Sequence, residues 1–405
     1  MNKGILLAAP AALVLYASAA MAAGATITVI NDLDVARPAA TISVPFAELA
    51  RVDPALRMYH VVVRDPKGRV LPSQITNYQH DHRGAAYDDL VFPYDFAAGE
   101  KRAVFIVDTA AATPPEPACA YARLVAERHD DIAWENDHIA HRMYGFALNT
   151  PAAGGERLRG SGIDIWGKRV RYLIVDRWYA KGHDQFHKDE EGEGLDLYSI
   201  GGSRGAGGTG VWDGRKLWTS DNFVKAEVLS NGPRRAAFKL TYAPWDAGTA
   251  GSVSETKQFT VDCGRNFDSV ESVFDFHSNE AVVGVGITEH PQAEGFPKAM
   301  LTKDPDGRWM SSWEENKDGG LGIAVILAAG ETPAGFAYEP PAKVPGNGNN
   351  LLLVKARDGV PVRYFTGSAW SKGGFFADRA SWEKFVKEHA VRALKPLTIT
   401  VGARP

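Results

Sequence analysis

The sequence predicts an all-β protein: a small N-terminal β-sandwich, a large antiparallel sandwich after it, and one helix near the C-terminus. Three observations predict it. Short runs that alternate apolar and polar residues fill most of the chain, the period of a half-buried strand. Turns rich in Asp, Pro and Gly, such as "DPKG" at 65–68 and "AAGE" at 97–100, separate those runs. Only residues 381–394 carry a helical period.

The elements follow in order. Lys3, the apolar run 5–20 and the small-x-small triplet Ala20-Met21-Ala22 form a secretory signal over 1–22, so the mature chain should begin near Ala23 in the periplasm or outside the cell. No later apolar run approaches eighteen residues, and no membrane anchor is expected. From 24 to 110 come "TITVIN", "TISVPF", "YHVVVRD", "VLPSQI", "DLVFPY" and "RAVFIVD", a sandwich with one helical turn at "FAELAR". The Ala/Pro-rich stretch around 111–119 is a linker. The second domain, 120–405, should carry long antiparallel strands, among them "ARLVAER", "HIAHRMYGFAL", "GIDIWGK", "RYLIVDRW", "AFKLTYAPW", "SETKQFTVDC" and "VVGVGITEH". In the helix at 381–394, Trp382, Phe385, Val386 and Leu394 share a side, with Ser381 as N-cap and Pro396 as stop. A final strand, "LTITVGA", closes this domain. No repeat of 20–50 residues is present, which excludes a propeller or solenoid.

The formal charge is −4, and −5 once Lys3 is removed, which argues against nucleic acid as a partner. Only two cysteines are present, Cys119 and Cys263. An oxidising compartment permits them to pair, and neither adjoins a histidine in a protease motif.

Two segments concentrate chemistry. Residues 183–196 hold His183, His187 and six carboxylates, and a Gly-rich stretch follows. "GAGGTG" at 205–210 matches G-x-G-x-x-G, but strand and turn come after it instead of a helix, so it is not a dinucleotide site. Upstream, residues 156–181 carry seven Lys/Arg against three acids. A basic segment feeding an acidic, histidine-bearing one suits an anionic substrate, because cations hold a carboxylate while titratable groups move protons. The bland alternative is a solvated charged loop. His183, His187 and their carboxylate neighbours also offer donors for a divalent metal, although H-x-x-x-H off a helix is a weak signal; no other cofactor is expected. In "WENDHIAHRMYG", 134–145, strand alternation sets His138, Ala140 and Arg142 on one face and His141 on the other, while Glu135-Asn136-Asp137 reads equally well as a polar turn. Trp166 sits at a loop edge, where it is either core or a sugar-stacking platform.

Together and in order, "WENDHIAHRMYG", "GIDIWGKR", "HKDEEGEGLDLYSIGGSRGAGG" and "SETKQFTVDCGRNF" resemble the bacterial domain-of-unknown-function 4861 family over nearly all the mature chain. The resemblance implies a galactose-mutarotase-like β-supersandwich and a role in loci for uronic-acid-containing glycans such as pectin, alginate or ulvan, with lyase or dehydratase activity on an acidic oligosaccharide. Elimination beside a uronate carboxylate needs a cation, a base and an acid. His187 is the expected base, because histidine changes charge near neutrality, and Tyr198 the acid. Arg142 and Lys168 should bind the carboxylate with Asn136, Trp166 should stack on the sugar, and Glu193 and Asp196 should orient His187 or ligate a metal. Three rivals stand beside it: a glycoside hydrolase using paired carboxylates such as Glu193 and Asp164, a mutarotase or epimerase, and a non-catalytic glycan-binding protein.

Overall fold

Alternation decides the first unit. Ala25, Ile27 and Val29 are buried in the strand Gly24–Ile30, which pairs antiparallel with Arg102–Thr109. The computed structural model describes residues 24–78, 88–344 and 346–404; the signal expected over 1–22 lies outside the described residues. A five-stranded and a three-stranded sheet close on a core that includes Ile27, Ile42, Phe92, Phe105 and Val107. The turn expected at "FAELAR" is the helix Phe46–Val52.

The last strand corrects the expected boundary. Thr398–Ala403 leaves the second domain and pairs with Gly24–Ile30, Ala25 opposite Ala403 and Ile30 opposite Thr398. The free edge of the first strand needs main-chain partners, and the returning C-terminus supplies them. The N-terminal sandwich is therefore built from both ends of the chain.

The second domain is a layered, antiparallel β structure. One face of an eight-stranded sheet packs on two five-stranded sheets, and residues of all three, such as Trp134, Val285, Phe238 and Val325, share one core. On the opposite face of the large sheet, Trp382, Val386 and Ala390 of the helix Arg379–Leu394 pack against Trp313, Ala324 and Ile326. That helix starts two residues before the expected point. Its N-cap is Asp378, which accepts from the Ser381 amide at 2.8 Å, and Ser381 answers as the other half of a capping box. Cys119 and Cys263 are joined by a disulfide with their Cα atoms 5.6 Å apart, tying the end of the linker to the large sheet.

A second correction concerns "RYLIVDRW", expected as a strand. Residues Val175–Lys181 are a helix, followed by the single turn His183–Phe186. Val175, Trp178 and Tyr179, spaced i, i+3, i+4, form its buried face. The main-chain N–H groups of Ile174 and Val175 donate to the Glu135 carboxylate at 2.7–2.9 Å, so the helix is capped by a residue some forty positions away. Local sequence cannot show that. These helices roof the outer face of the sheet formed by Ala120–Val125, Asp131–Asn136, Ala140–Met143, Asp164–Lys168 and Gly194–Asp196. Among the described residues, no helix is long and apolar enough to cross a membrane.

Candidate functional site

The roofed face is built by alternation. Asp131, Ala133 and Glu135 project from one strand, Ala140 and Arg142 from the next, then Asp164, Trp166 and Lys168, and finally Asp196. Register sets Arg142 opposite Asp164 and Trp166 opposite Asp196. Charged side chains thus alternate with apolar ones along a face that helices cover, and each charge has to find its counter-ion inside.

Two ionic clusters result. The Arg142 guanidinium donates to Asp164 through Nε at 2.9 Å and Nη2 at 2.7 Å, and to Asp196 through Nη2 at 3.0 Å. Trp166, Phe186 and Tyr144 wall it at 5.6–5.8 Å. Burial pushes the Asp164 carboxyl up to about 7, helped by repulsion from Asp196 and opposed by Arg142. Burial likewise raises Asp196 to about 6 and Asp131 to about 6, again against Arg142. One buried guanidinium is the main counter-charge of three acids, with Arg128 adding a smaller attraction on Asp131 and Asp196, so the group retains protons near neutrality. In the other cluster, Lys168 Nζ donates to Glu135 and to the Asn136 carbonyl, each at 2.6 Å.

The structure places each expected site residue as follows. Arg142 and Lys168, expected to hold a substrate carboxylate, have buried side chains already engaged by protein acids. Asn136 is a turn residue: its Oδ1 accepts from the His138 and Ile139 amides, and its Nδ2 donates to the Asp262 and Arg265 carbonyls. Trp166 is 1% exposed and stacks on Trp178 at 5.1 Å, which leaves no ring face for a sugar. Glu193 accepts from Tyr172, Arg177, Trp178 and Lys181, fastening the roof helix from outside. Those donors outweigh the effect of burial and hold its carboxyl down to about 2, and they occupy both of its oxygens. Tyr198 belongs to the core between the sheets, edge-on to His290 at 4.8 Å, and burial pushes its phenol up.

His187 remains at the surface, its side chain 41% exposed. Its Nδ1 lies 3.2 Å from the Asp196 carbonyl oxygen and 3.7 Å from Asp196 Oδ2. Donation from Nδ1 to that carbonyl fixes the tautomer and makes Nε2 the basic nitrogen. The structure therefore joins His187, Asp196, Arg142 and Asp164 in one chain of contacts and turns Tyr198 away from it. Gly194, the first residue of its strand, has φ +122, and a Cβ there would meet the Gly167 carbonyl at 1.9 Å. Of the suggested metal donors, the His183 side chain lies outside the described residues. The grouping of metal-type ligand atoms found among described residues, Cys119, Asp137 and Cys263, contains the disulfide sulfurs.

Sequence reasoning missed Glu135 and Asp131 as members of this face. Period two was the available signal, since Asp131, Ala133 and Glu135 alternate as Asp164, Trp166 and Lys168 do.

Beyond the roof, the segment 196–204 leads to a groove of about 550 Å³ lined by Gly201, Gly202, Arg204, Glu339, Lys343 and Asn347. Ser199 O accepts from Asn347 Nδ2 at 2.9 Å and contacts His290 Nε2 at 2.7 Å, which fixes the connecting backbone. The glycines of 205–210 lie mostly in the strand Ala206–Trp212, so they meet no helix N-terminus.

A separate constellation has the connectivity of a catalytic triad. Ser368 Oγ lies 2.9 Å from His141 Nε2, and His141 Nδ1 lies 3.1 Å from Asp268 Oδ2. All three are at most 2% exposed, and the cavity beside Ser368 is about 10 Å³, room for one water. It ties two sheets together.

The raised acids predict a pH effect. Their folded values exceed the unfolded ones, so the stability they contribute is complete below about pH 4 and is lost as pH rises through 6–7. Buried His389, held down to about 3, works in the opposite sense and loses stability as pH falls below its ordinary value. Comparing wild type with Asp164→Asn isolates the acids: the melting temperature of the variant should fall less between pH 5 and about 7.5. Parallel profiles would mean that the pair does not retain a proton.

The sequence profile of the family described as "Domain of unknown function (DUF4861)" matches residues 29–399. A Formosa agariphila protein, described as uncharacterised, is 31% identical over 385 residues, covering 93% of each chain. Among solved structures, a glycosyl hydrolase family 38 protein from Enterococcus faecalis aligns with 94% of this chain at 11% identity and a TM-score of 0.49. The α-galactosidase AgaA of Geobacillus stearothermophilus aligns with 59% at 10% identity and a TM-score of 0.27. The aligned regions span 48% and 40% of those two longer chains.

Proposed function

From membership in the domain-of-unknown-function 4861 family, to which this chain belongs, we propose that it is a secreted carbohydrate-active enzyme that eliminates across a uronic-acid residue of an oligosaccharide. The observation that carries this reading is His187: a half-exposed imidazole oriented through Nδ1 by the Asp196 carbonyl and backed by a buried acid pair. In the reaction, Nε2 takes the C5 proton beside the substrate carboxylate, the C4–O bond breaks, a C4–C5 double bond forms, and the imidazolium returns the proton to the leaving oxygen. Asp196 Oδ2 stabilises the imidazolium. Asp164 and Arg142 hold Asp196 in place and act as positioning residues.

Surface cations suit the substrate carboxylate better than the buried Arg142 and Lys168 do. Lys188 follows His187 directly with its side chain half exposed, and Arg169 lies over the Trp370 ring at 5.1 Å while paired with Asp189. The groove at Gly201–Arg204 supports binding of further sugar units along the same segment.

The test is an assay on a panel of oligosaccharides from pectin, alginate and ulvan, reading the ultraviolet absorbance of an unsaturated uronate. A rise in absorbance is expected. New reducing ends without absorbance would replace the reading with hydrolysis, and saturable binding without product would replace it with a glycan-binding role.

A further inference from the structure

Away from the roofed face, a cavity of about 420 Å³ opens where the N-terminal sandwich, the large sheet and the C-terminal helix meet. Four arginines line it, Arg37, Arg235, Arg265 and Arg392, against one carboxylate, Asp262. Two of the four are neutralised locally: Arg235 forks onto Asp262 at 2.7 and 2.9 Å with Asp89 at 3.9 Å, and Arg392 meets Glu388 at 2.9 Å. Arg37 is held by neutral groups instead, the Asn31 side chain at 2.7 Å and the carbonyls of Arg392 and Lys395. Arg265 makes no ion pair or side-chain hydrogen bond with a described residue.

Guanidiniums brought together from three elements repel one another, and a half-buried charge without a counter-ion costs stability. The strain registers on the neighbours. Burial, with repulsion from Arg392 and Arg265 next, lowers Arg37 against the attraction of Asp32; burial also lowers Arg265, where the attraction of Asp262 is opposed by repulsion from Arg392 and Arg235. His389 faces the same cavity, stacked on Phe267 at 4.3 Å, and stays neutral. A further positive charge would find no partner here; a negative one would find several donors. Phe267, Phe365 and Leu397 add apolar wall on which the C–H face of a small ring can rest.

We propose that this junction is a binding site for an oxyanion-bearing saccharide, its sulfate or carboxylate seated between Arg265 and Arg37 and its ring against Phe267. The oxyanion part stands independently of the proposed elimination, since none of these side chains belongs to the His187 site; the saccharide carrier rests on the carbohydrate reading. Because the walls come from both units, occupancy should also brace the N-terminal sandwich against the large sheet.

The experiment is calorimetry on the full mature chain at fixed ionic strength, with sodium chloride as balance and inorganic sulfate, galacturonate, a sulfated galactose and neutral galactose as probes. Wild type should bind the anions and not galactose. Arg265→Gln, which breaks no ion pair or side-chain hydrogen bond among the described residues, should weaken anion binding roughly 10–100-fold, the worth of a charge-assisted hydrogen bond or two. Ser269→Phe, which fills the cavity from another wall, should abolish it. Sulfate binding without preference for either acidic sugar would keep the oxyanion site and overturn the saccharide. Anion binding no tighter than that of chloride, or unchanged by both substitutions, would overturn the site itself. Because Arg265→Gln leaves His187 untouched, this outcome and the elimination assay fail separately.

Discussion

His187→Ala should lower turnover on the uronate oligosaccharide by about 10²–10⁴-fold, the usual worth of a positioned general base. The side chain is 41% exposed and outside the apolar clusters, so the melting temperature should stay near that of wild type. Binding of the acidic oligosaccharide should persist, because the base acts on the C5 proton and not on the carboxylate. The readouts are single-turnover rate, substrate affinity and melting temperature measured on one preparation. A variant that keeps most of the wild-type rate would return residues 183–196 to the status of a solvated loop.

Arg142→Ala should be the most damaging single change to stability. The guanidinium is buried, and its removal leaves Asp131, Asp164 and Asp196 facing one another without their main cation. Breaking a buried pair in this way costs about 3–5 kcal/mol. The remaining acids escape their repulsion by taking up protons, so part of the loss should be recovered at pH 5 relative to pH 7. Denaturant unfolding at the two pH values checks both statements. A variant of wild-type stability that only lost affinity for acidic sugars would restore Arg142 as a direct substrate ligand, the role expected for it from sequence. Lys168 and Glu135 form a comparable pair, but one that the capped helix and the Asn136 carbonyl also satisfy.

Parts of this site were legible in the chain. Alternation correctly put Arg142 and Ala140 on one face and His141 on the other, and the density of charge in 183–196 located His187 next to Asp196. The turn that Glu135-Asn136-Asp137 suggests is what the structure contains at Asn136. The misplacements have one cause. Trp166, Lys168 and Arg142 look, strand by strand, like residues of a solvent face, because a charged residue every second position is what an exposed sheet surface shows. The helix Val175–Lys181 buries that face, and its first N–H groups are capped by the distant Glu135 carboxylate, which accepts them.

By itself the sequence determined what is local. Period two fixed the strands, Asp, Pro and Gly turns separated them, and a single helical period with a stop at Pro396 placed the C-terminal helix. Those signals depend on side-chain spacing over a few residues, and no partner is needed to produce them. Tertiary structure alone decided which charges meet, that Cys119 reaches Cys263, that the last strand completes the first sheet, and that arginines from three elements converge on one cavity. Each depends on register and on layers packing between segments that lie from 22 residues apart, as for Arg142 and Asp164, to opposite ends of the chain. There the counter-ion of a buried charge is whatever the fold brings within about 3–4 Å, and a linear pattern carries no record of that distance.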